Sequence, residues 1–455
     1  MQFEFVLRNA KIVTPTGIVD GDIAVNKGKI VKVGEVMEKG MIERDVKGLF
    51  VLPGAIDMHV HFRDPGAPEK EDFESGSGAA AAGGVTTIVD MPNTNPPTLT
   101  VKVLEDKRAA AASKSHVDFG LYMGLTDTNL EEIKMGKAAA EKEGRTLAGV
   151  KVYMGASTGN LLVKDMKILE ELFSLGLFVI VHAEDESIIE ANKKKYADEI
   201  ASASVDPAIH SKIRSVDAAY EAVKQVLHIA KKHNARVHIT HVTSAKEVAE
   251  LRKFKSPLVT ADATPHHLFL SDSAYQDRGN LVKVNPPLRT NEDRNALWQG
   301  IKEGLIQAVA SDHAPHLKSE KERPYAEAPS GVPGVETLLP LLLDASNHGE
   351  LSLADVVRIT SQNPAAILGL KNKGRIEEGA DADLVVVNLE EKREVGKPGV
   401  PGTPDASRPA YFTKCNWSPF AGWKLQGWPV LTIVNGHIAF EHGKVHPEVR
   451  GKELN

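Results

Sequence analysis

Eight short apolar runs, each followed by a stretch of helical character, constrain this chain more than any other feature. They are AIDMHVH (55–61), VTTIVDM (85–91), VDFGLYM (117–123), AGVKVYM (148–154), LFVIVHA (177–183), ARVHITHV (235–242), SPLVTAD (256–262) and IQAVASD (306–312). Runs this short and this continuously apolar read as strands covered on both faces. The alanine-rich or charged segments of helical period between them read as crossover helices. Eight such units predict an α/β fold, a (β/α)8 TIM barrel, whose usual size is roughly 250 residues. The longest gap, from the fifth run to the sixth, leaves room for an extra helix.

A barrel alone does not use all 455 residues. The first 50 residues read as short alternating strands with a turn at Asn26–Gly28, and the same pattern returns after residue 370 in GRIEEGADADLVVVN and PVLTIVNGHIAFEHGKV. Both chain ends are therefore expected to make one small β-sandwich domain, residues 1–52 and 372–455, beside a barrel of residues 53–371. GKPGVPGTPDASRP at 396–409 is too rich in Pro and Gly for helix or central strand and reads as a surface loop.

Composition narrows the class of partner. A net charge of −6 without a basic stripe argues against nucleic acid, and 42% hydrophobic residues is an ordinary globular supply. One cysteine, Cys415, excludes an intrachain disulfide and fits a reducing, cytoplasmic setting. No signal peptide and no apolar stretch of about 18 residues is visible, so no membrane role is expected. A small-molecule substrate and a homo-oligomer, dimer or tetramer, are the expected partners.

The chemistry sits at the ends of the runs. Asp57, His59 and His61 alternate along the first predicted strand, and side chains two apart on a strand project to one side, so two imidazoles converge. At the C-terminal end of a barrel strand, where this fold places its active sites, such a pair suits a divalent metal such as zinc. His182, His241 and Asp312 close three further runs at the same end. Lys151 is the odd member, because an ammonium group aimed at cations is repelled. A carbamate on its nitrogen would make it an anion able to bridge two metals; the bland alternative is an ion pair with an acidic neighbour such as Glu184. His266, His267, His313 and the tryptophans 417, 423 and 428 read as packing or supporting residues, and residues 317–330 as a lid or an ordinary loop.

The ordered segments HVHFRDPG, MPNTNP, GVKVYMG, VHAED, HITHVTS, TPHHL, KVNPPLR, SDHAPH and GVPGVET resemble the amidohydrolase superfamily, and within it the dihydroorotases, over nearly the whole chain. The resemblance implies His59, His61 and Asp312 on one metal, His182 and His241 on a second, and carboxylated Lys151, with a hydroxide, bridging two zinc ions per subunit. It further implies that Arg63, Asn93 and His316 hold a substrate carboxylate, while Asn285 and the backbone at Ser330 and Gly331 hold the ring, with Asp312 as the catalytic proton carrier. The implied reaction is reversible hydrolysis of dihydroorotate to N-carbamoyl-L-aspartate, a step of pyrimidine synthesis. An allantoinase, or a hydantoinase of the dihydropyrimidinase kind, would keep the ligands and change the ring pocket; a non-catalytic scaffold should have lost ligands. Arg63 favours the carboxylate-bearing ring, since its fork matches a carboxylate and a structural pair with Asp64 or Glu69 is the plainer alternative.

Overall fold

The computed structural model describes residues 2–14, 16–144, 147–157, 161–202, 205–254, 256–399 and 405–454. Residues 400–404 of the expected 396–409 loop thus lie outside the described residues. The apolar runs become the barrel strands β1 (Ala55–Val60), β2 (Val85–Asp90), β3 (Asp118–Leu121, continued by Met123–Gly124), β4 (Val150–Tyr153), β5 (Val179–His182), β6 (Val237–Ile239), β7 (Val259–Ala263) and β8 (Ala308–Val309). Each pairs in parallel with the next. The ring closes where Val60 bridges His313 and the His61 N–H donates to the His313 carbonyl at 2.8 Å.

Pleating explains why the runs are apolar and yet carry polar residues. Val150, Val152, Val179, Val181, Val237 and Ile239 join a core with Leu169 and Leu172 of the helix Met166–Ser174 and Val223 and Val226 of the helix Val216–His233. Alternation turns Lys151 and Tyr153 of β4, and Ile180 and His182 of β5, to the other, inner face. The register pairs Lys151 with Ile180 and Tyr153 with His182. Burying each outer Val or Ile contributes roughly 1.5–3 kcal/mol, so the outer face holds the strands while the inner face is released for chemistry.

The gap between β5 and β6 holds more than the one extra helix expected: Glu186–Lys195, Ala197–Ile200 and Ile209–Ile213 all precede Val216–His233. Among the described residues the chain ends make a β-rich domain of nine strands in one sheet, five before the barrel and four after it; eight follow one hydrogen-bonded path, and Gly40–Asp45 branches off it by pairing with Phe3–Thr14. Phe50–Pro53 joins the halves, parallel to Phe3–Thr14 on one side and antiparallel to Leu384–Glu394 on the other. Its core includes Phe5, Leu7, Ile12, Ile23, Val51, Leu384, Val386 and Ile433. Trp417 and Trp428 pack with Val282, Val284 and Leu288, and Trp423 against that cluster, as the packing reading expects. Among the described residues no helix is long and apolar enough to cross a membrane.

Candidate active site

His59, His61 and Asp312 come together at the mouth of the barrel, with candidate ligand atoms within 4.8 Å of one another, and all three are buried. Both imidazoles bring Nε2 to the same carboxylate oxygen, Asp312 Oδ1, at 3.2 Å for His59 and 3.1 Å for His61. His61 Nδ1 donates to Asn93 Oδ1 at 2.5 Å, which leaves Nε2 as the unprotonated nitrogen. Burial holds both histidines below their usual pKa, and neutral His61, whose one ring N–H is spent on Asn93, has no proton left for the carboxylate it faces. A cation reconciles the two. The donor set fits one divalent metal, and Asn93 fixes the tautomer of one ligand.

A second histidine pair stands next to the first. His182 Nδ1 and His241 Nε2 face each other at 2.9 Å, and the His241 ring lies 5.6 Å from that of His59. His182 Nε2 donates to Glu184 at 2.8 Å, so its Nδ1 is the nitrogen left for a ligand. Arg214 in turn clamps Glu184, through Nε at 2.9 Å and through Nη2, and reaches the Ala156 carbonyl at 2.9 Å. This ion pair holds the Glu184 carboxyl well below the usual carboxylate range, against the pull of burial. His241 sits at φ 41° with its N–H on Asp262 Oδ1 at 2.6 Å; Arg63 and Asp312, at φ 59° and 46°, share the left-handed region that side chains rarely adopt.

Lys151 is fully buried, and its Nζ donates to Thr240 Oγ1 at 3.3 Å. The bland ion pair with Glu184 does not form among the described residues: Arg214 and His182 hold Glu184 Oε2, and Oε1 has no hydrogen-bond partner there. Burial lowers the Lys151 pKa to about 8. Its charge bears on His59, His182 and His241 alike, which places it between the two histidine groups. Asp57 is not part of either group: it accepts from the Ser311 N–H at 3.0 Å and the His59 N–H at 3.2 Å, tying β1 to the segment after β8, and burial raises it to about 7.

Two cationic side chains, Arg63 and Lys70, meet at His316, and Lys70 is also paired with Glu320 at 2.8 Å. Arg63 is 6% exposed, yet its hydrogen bonds go to the Pro315 carbonyl at 3.2 Å and to His316 Nε2 at 3.3 Å, and no carboxylate pairs with it among the described residues. Neither alternative partner is used: Asp64 pairs with Lys114 at 2.7 Å, and Glu69 makes no ion pair with Arg63. His316 Nε2 also lies 3.2 Å from the Ser330 carbonyl, and Lys70 reaches its Nδ1 at 3.3 Å. Gly331 has φ +134°, and a Cβ there would meet the Ala314 carbonyl oxygen at 2.6 Å, so glycine is required by the turn.

Asn285 Oδ1 accepts from His210 Nε2 at 2.8 Å, while Tyr325 Oη donates to His210 Nδ1 at 2.9 Å. Burial drops the His210 pKa to about 3, consistent with a neutral ring. His210, Arg214 and Tyr325 escaped the reading of the sequence because they lie in the long β5–β6 gap and in residues 317–330, where no strand periodicity points at them. That last segment is anchored: Lys321 Nζ donates to the Lys283 and Pro329 carbonyls at 2.8 Å, and Lys283 Nζ to those of Tyr325 and Ala328 at 2.7 Å. His313 turns away to Glu71 at 3.3 Å, and His267 is occupied by Thr264 and the Pro286 carbonyl.

Known proteins are similar to this chain over nearly its whole length. A dihydroorotase of Methanosarcina mazei is 37% identical over 98% of this chain and 97% of its own length, and one of Pyrococcus furiosus is 35% identical over 99% and 96%. Among solved structures, the L-hydantoinase (dihydropyrimidinase) from Arthrobacter aurescens superposes with a TM-score of 0.90 at 31% identity, covering 99% of each chain. The dihydropyrimidinase from Brevibacillus agri NCHU1002 gives 0.86 at 26%, over 99% of this chain and 98% of that one. The model of the amidohydrolase family matches residues 50–439, from the strand that precedes the barrel to the sheet that follows it. On that match and those relatives, the chain belongs to the amidohydrolase family.

Proposed function

We propose that the protein is a dihydroorotase, a hydrolase that opens the dihydroorotate ring to N-carbamoyl-L-aspartate and closes it again in pyrimidine synthesis. The observation that carries this over a hydantoinase or dihydropyrimidinase is Arg63. A buried guanidinium without a counter-ion is costly by several kcal/mol, and an anionic ligand removes that cost. Dihydroorotate carries a carboxylate; allantoin and dihydrouracil do not. The curated relatives support the same choice, since those of similar length are named for this activity.

In this reading His59, His61 and Asp312 would hold one zinc ion, His182 and His241 a second, with a carboxylated Lys151 as a shared ligand. Bound there, the metals would supply Lewis-acid polarisation of the amide carbonyl and water acidified to a pKa of about 7. Arg63 and His316 orient the substrate carboxylate, with Asn93 beside them, and Asn285, Ser330 and Gly331 flank the ring. Asp312 takes the proton released as water adds to the carbonyl and delivers it to the ring nitrogen as the amide C–N bond breaks. In the reverse direction the same carboxylate removes the proton from that nitrogen. Glu184 and Arg214 keep His182 turned toward the centre. An apolar edge at Met37, Met41 and Ile42, all exposed, supports assembly into a dimer or tetramer, which light scattering tests.

The test of substrate is direct. Zinc-loaded protein is incubated separately with dihydroorotate, allantoin and dihydrouracil, and loss of each ring is followed. Dihydroorotate should turn over far faster than the other two; turnover of allantoin or dihydrouracil without dihydroorotate sinks the assignment.

A further inference from the structure

We propose that Tyr153 positions the substrate through a hydrogen bond from its hydroxyl to an oxygen of the bound ring acid. Strand alternation carries Tyr153 to the inner face two residues beyond Lys151, at the C-terminal end of β4, beside His182 of β5. The Tyr153 ring lies 5.8 Å from that of His182, and Lys151 Nζ stands 5.2 Å from its centre. Its phenol shares the electrostatic surroundings of Asp312 and Arg63, one from each wall of the site. The residue is 4% exposed, and its hydroxyl has no hydrogen-bond partner among the described residues.

A buried, unmade O–H is unfavourable, and phenylalanine would fill the same volume without it. Other buried tyrosines use theirs: Tyr122 donates to the Met58 carbonyl at 3.2 Å, and Tyr325 to His210. The Tyr275 hydroxyl has the Ser211 side chain and the Leu288 backbone beside it. Tyr153 instead faces the catalytic groups, where the molecule that completes its hydrogen bond is the ligand. A hydroxyl in that place discriminates, because a site built around a substrate hydrogen bond penalises a ring that cannot make it.

This role rests on the dihydroorotase reading, and the test separates the two. Wild type and Tyr153→Phe, both metal-loaded, are compared in KM and kcat for dihydroorotate, in calorimetric Kd for orotate, a ring acid of the same outline, and in metal content and Tm. KM and Kd should each rise about tenfold, the size of one neutral hydrogen bond, with kcat within about twofold and metal content and Tm unchanged. Equal KM and Kd in the two proteins overturn the role, and so does a fall in kcat with KM unchanged. If wild type itself ignores dihydroorotate, the failure belongs to the substrate assignment. The pair is then compared on whichever ring wild type opens, where equal KM values overturn the role of Tyr153.

Discussion

The two walls of the site are built on opposite principles. One gathers lone pairs: His59, His61, His182 and His241 are held below their usual pKa by burial, the first two converge with Asp312, and the other two face each other beside His59. The other gathers cationic donors, Arg63 and Lys70 around His316; Lys70 is paired with Glu320, whereas Arg63 has no carboxylate partner among the described residues. A wall of lone pairs suits cations, and an unpaired guanidinium suits an anion; on the proposed reading the first decides the reaction and the second decides the substrate. The strongest way to break this division is Asp312→Ala, which on the proposed reading removes a ligand and the proton carrier together. We expect kcat to fall by roughly 10³-fold or more for every ring the enzyme opens, with metal content reduced and the circular dichroism spectrum kept. A loss confined to dihydroorotate would mean that Asp312 belongs to the other wall.

Arg63→Met tests the second wall. It should lower kcat/KM for dihydroorotate by about 10²–10³-fold, the scale of removing one partner from a buried charge pair. Metal content should stay at the wild-type level. Weak activity on dihydrouracil, which has no carboxylate, should be unchanged or improved, because the buried charge no longer has to be left unpaired. Equal losses on both rings would show Arg63 to be a structural residue and would dissolve the distinction between the walls.

The same division marks what the sequence could tell. The lone-pair wall was legible because strands are short, alternate strictly and end at one face of the barrel, so HVH, VHAED, HITHV and SDHAPH could be aligned by position alone. The supporting contacts were not. Nothing in the spacing says that Glu184 is claimed by Arg214, 30 residues later across three short helices, or that Asn93 fixes the His61 ring. The left-handed backbone at Arg63, His241 and Asp312 is equally silent, since none is glycine. Arg63 could be proposed as an anion binder from its residue type, but whether Asp64 or Glu69 would neutralise it depended on loop geometry that brings Lys114 to Asp64 instead. The β domain was legible in its alternation and not in its connectivity, because Phe50–Pro53 joins strands more than 300 residues apart in sequence.

Lys151 belongs to the first wall by position and to the second by charge, and carboxylation is what would move it from one to the other. Only the free amine attacks CO2. With its pKa lowered by burial to about 8, the free-base fraction rises about tenfold for each pH unit below that value and levels off above it. His59, His182 and His241 are held below their usual range, so none of them competes by deprotonating across that window. Metal uptake by metal-free protein, measured at constant dissolved CO2, should therefore speed up about tenfold between pH 6 and pH 7 and flatten above about pH 8. Native mass spectrometry of the loaded protein should show one added CO2, absent from Lys151→Ala. Uptake that is flat across pH 6–8, or equally fast in CO2-free buffer, would leave Lys151 a plain ammonium group and place the boundary between the walls on the other side of β4.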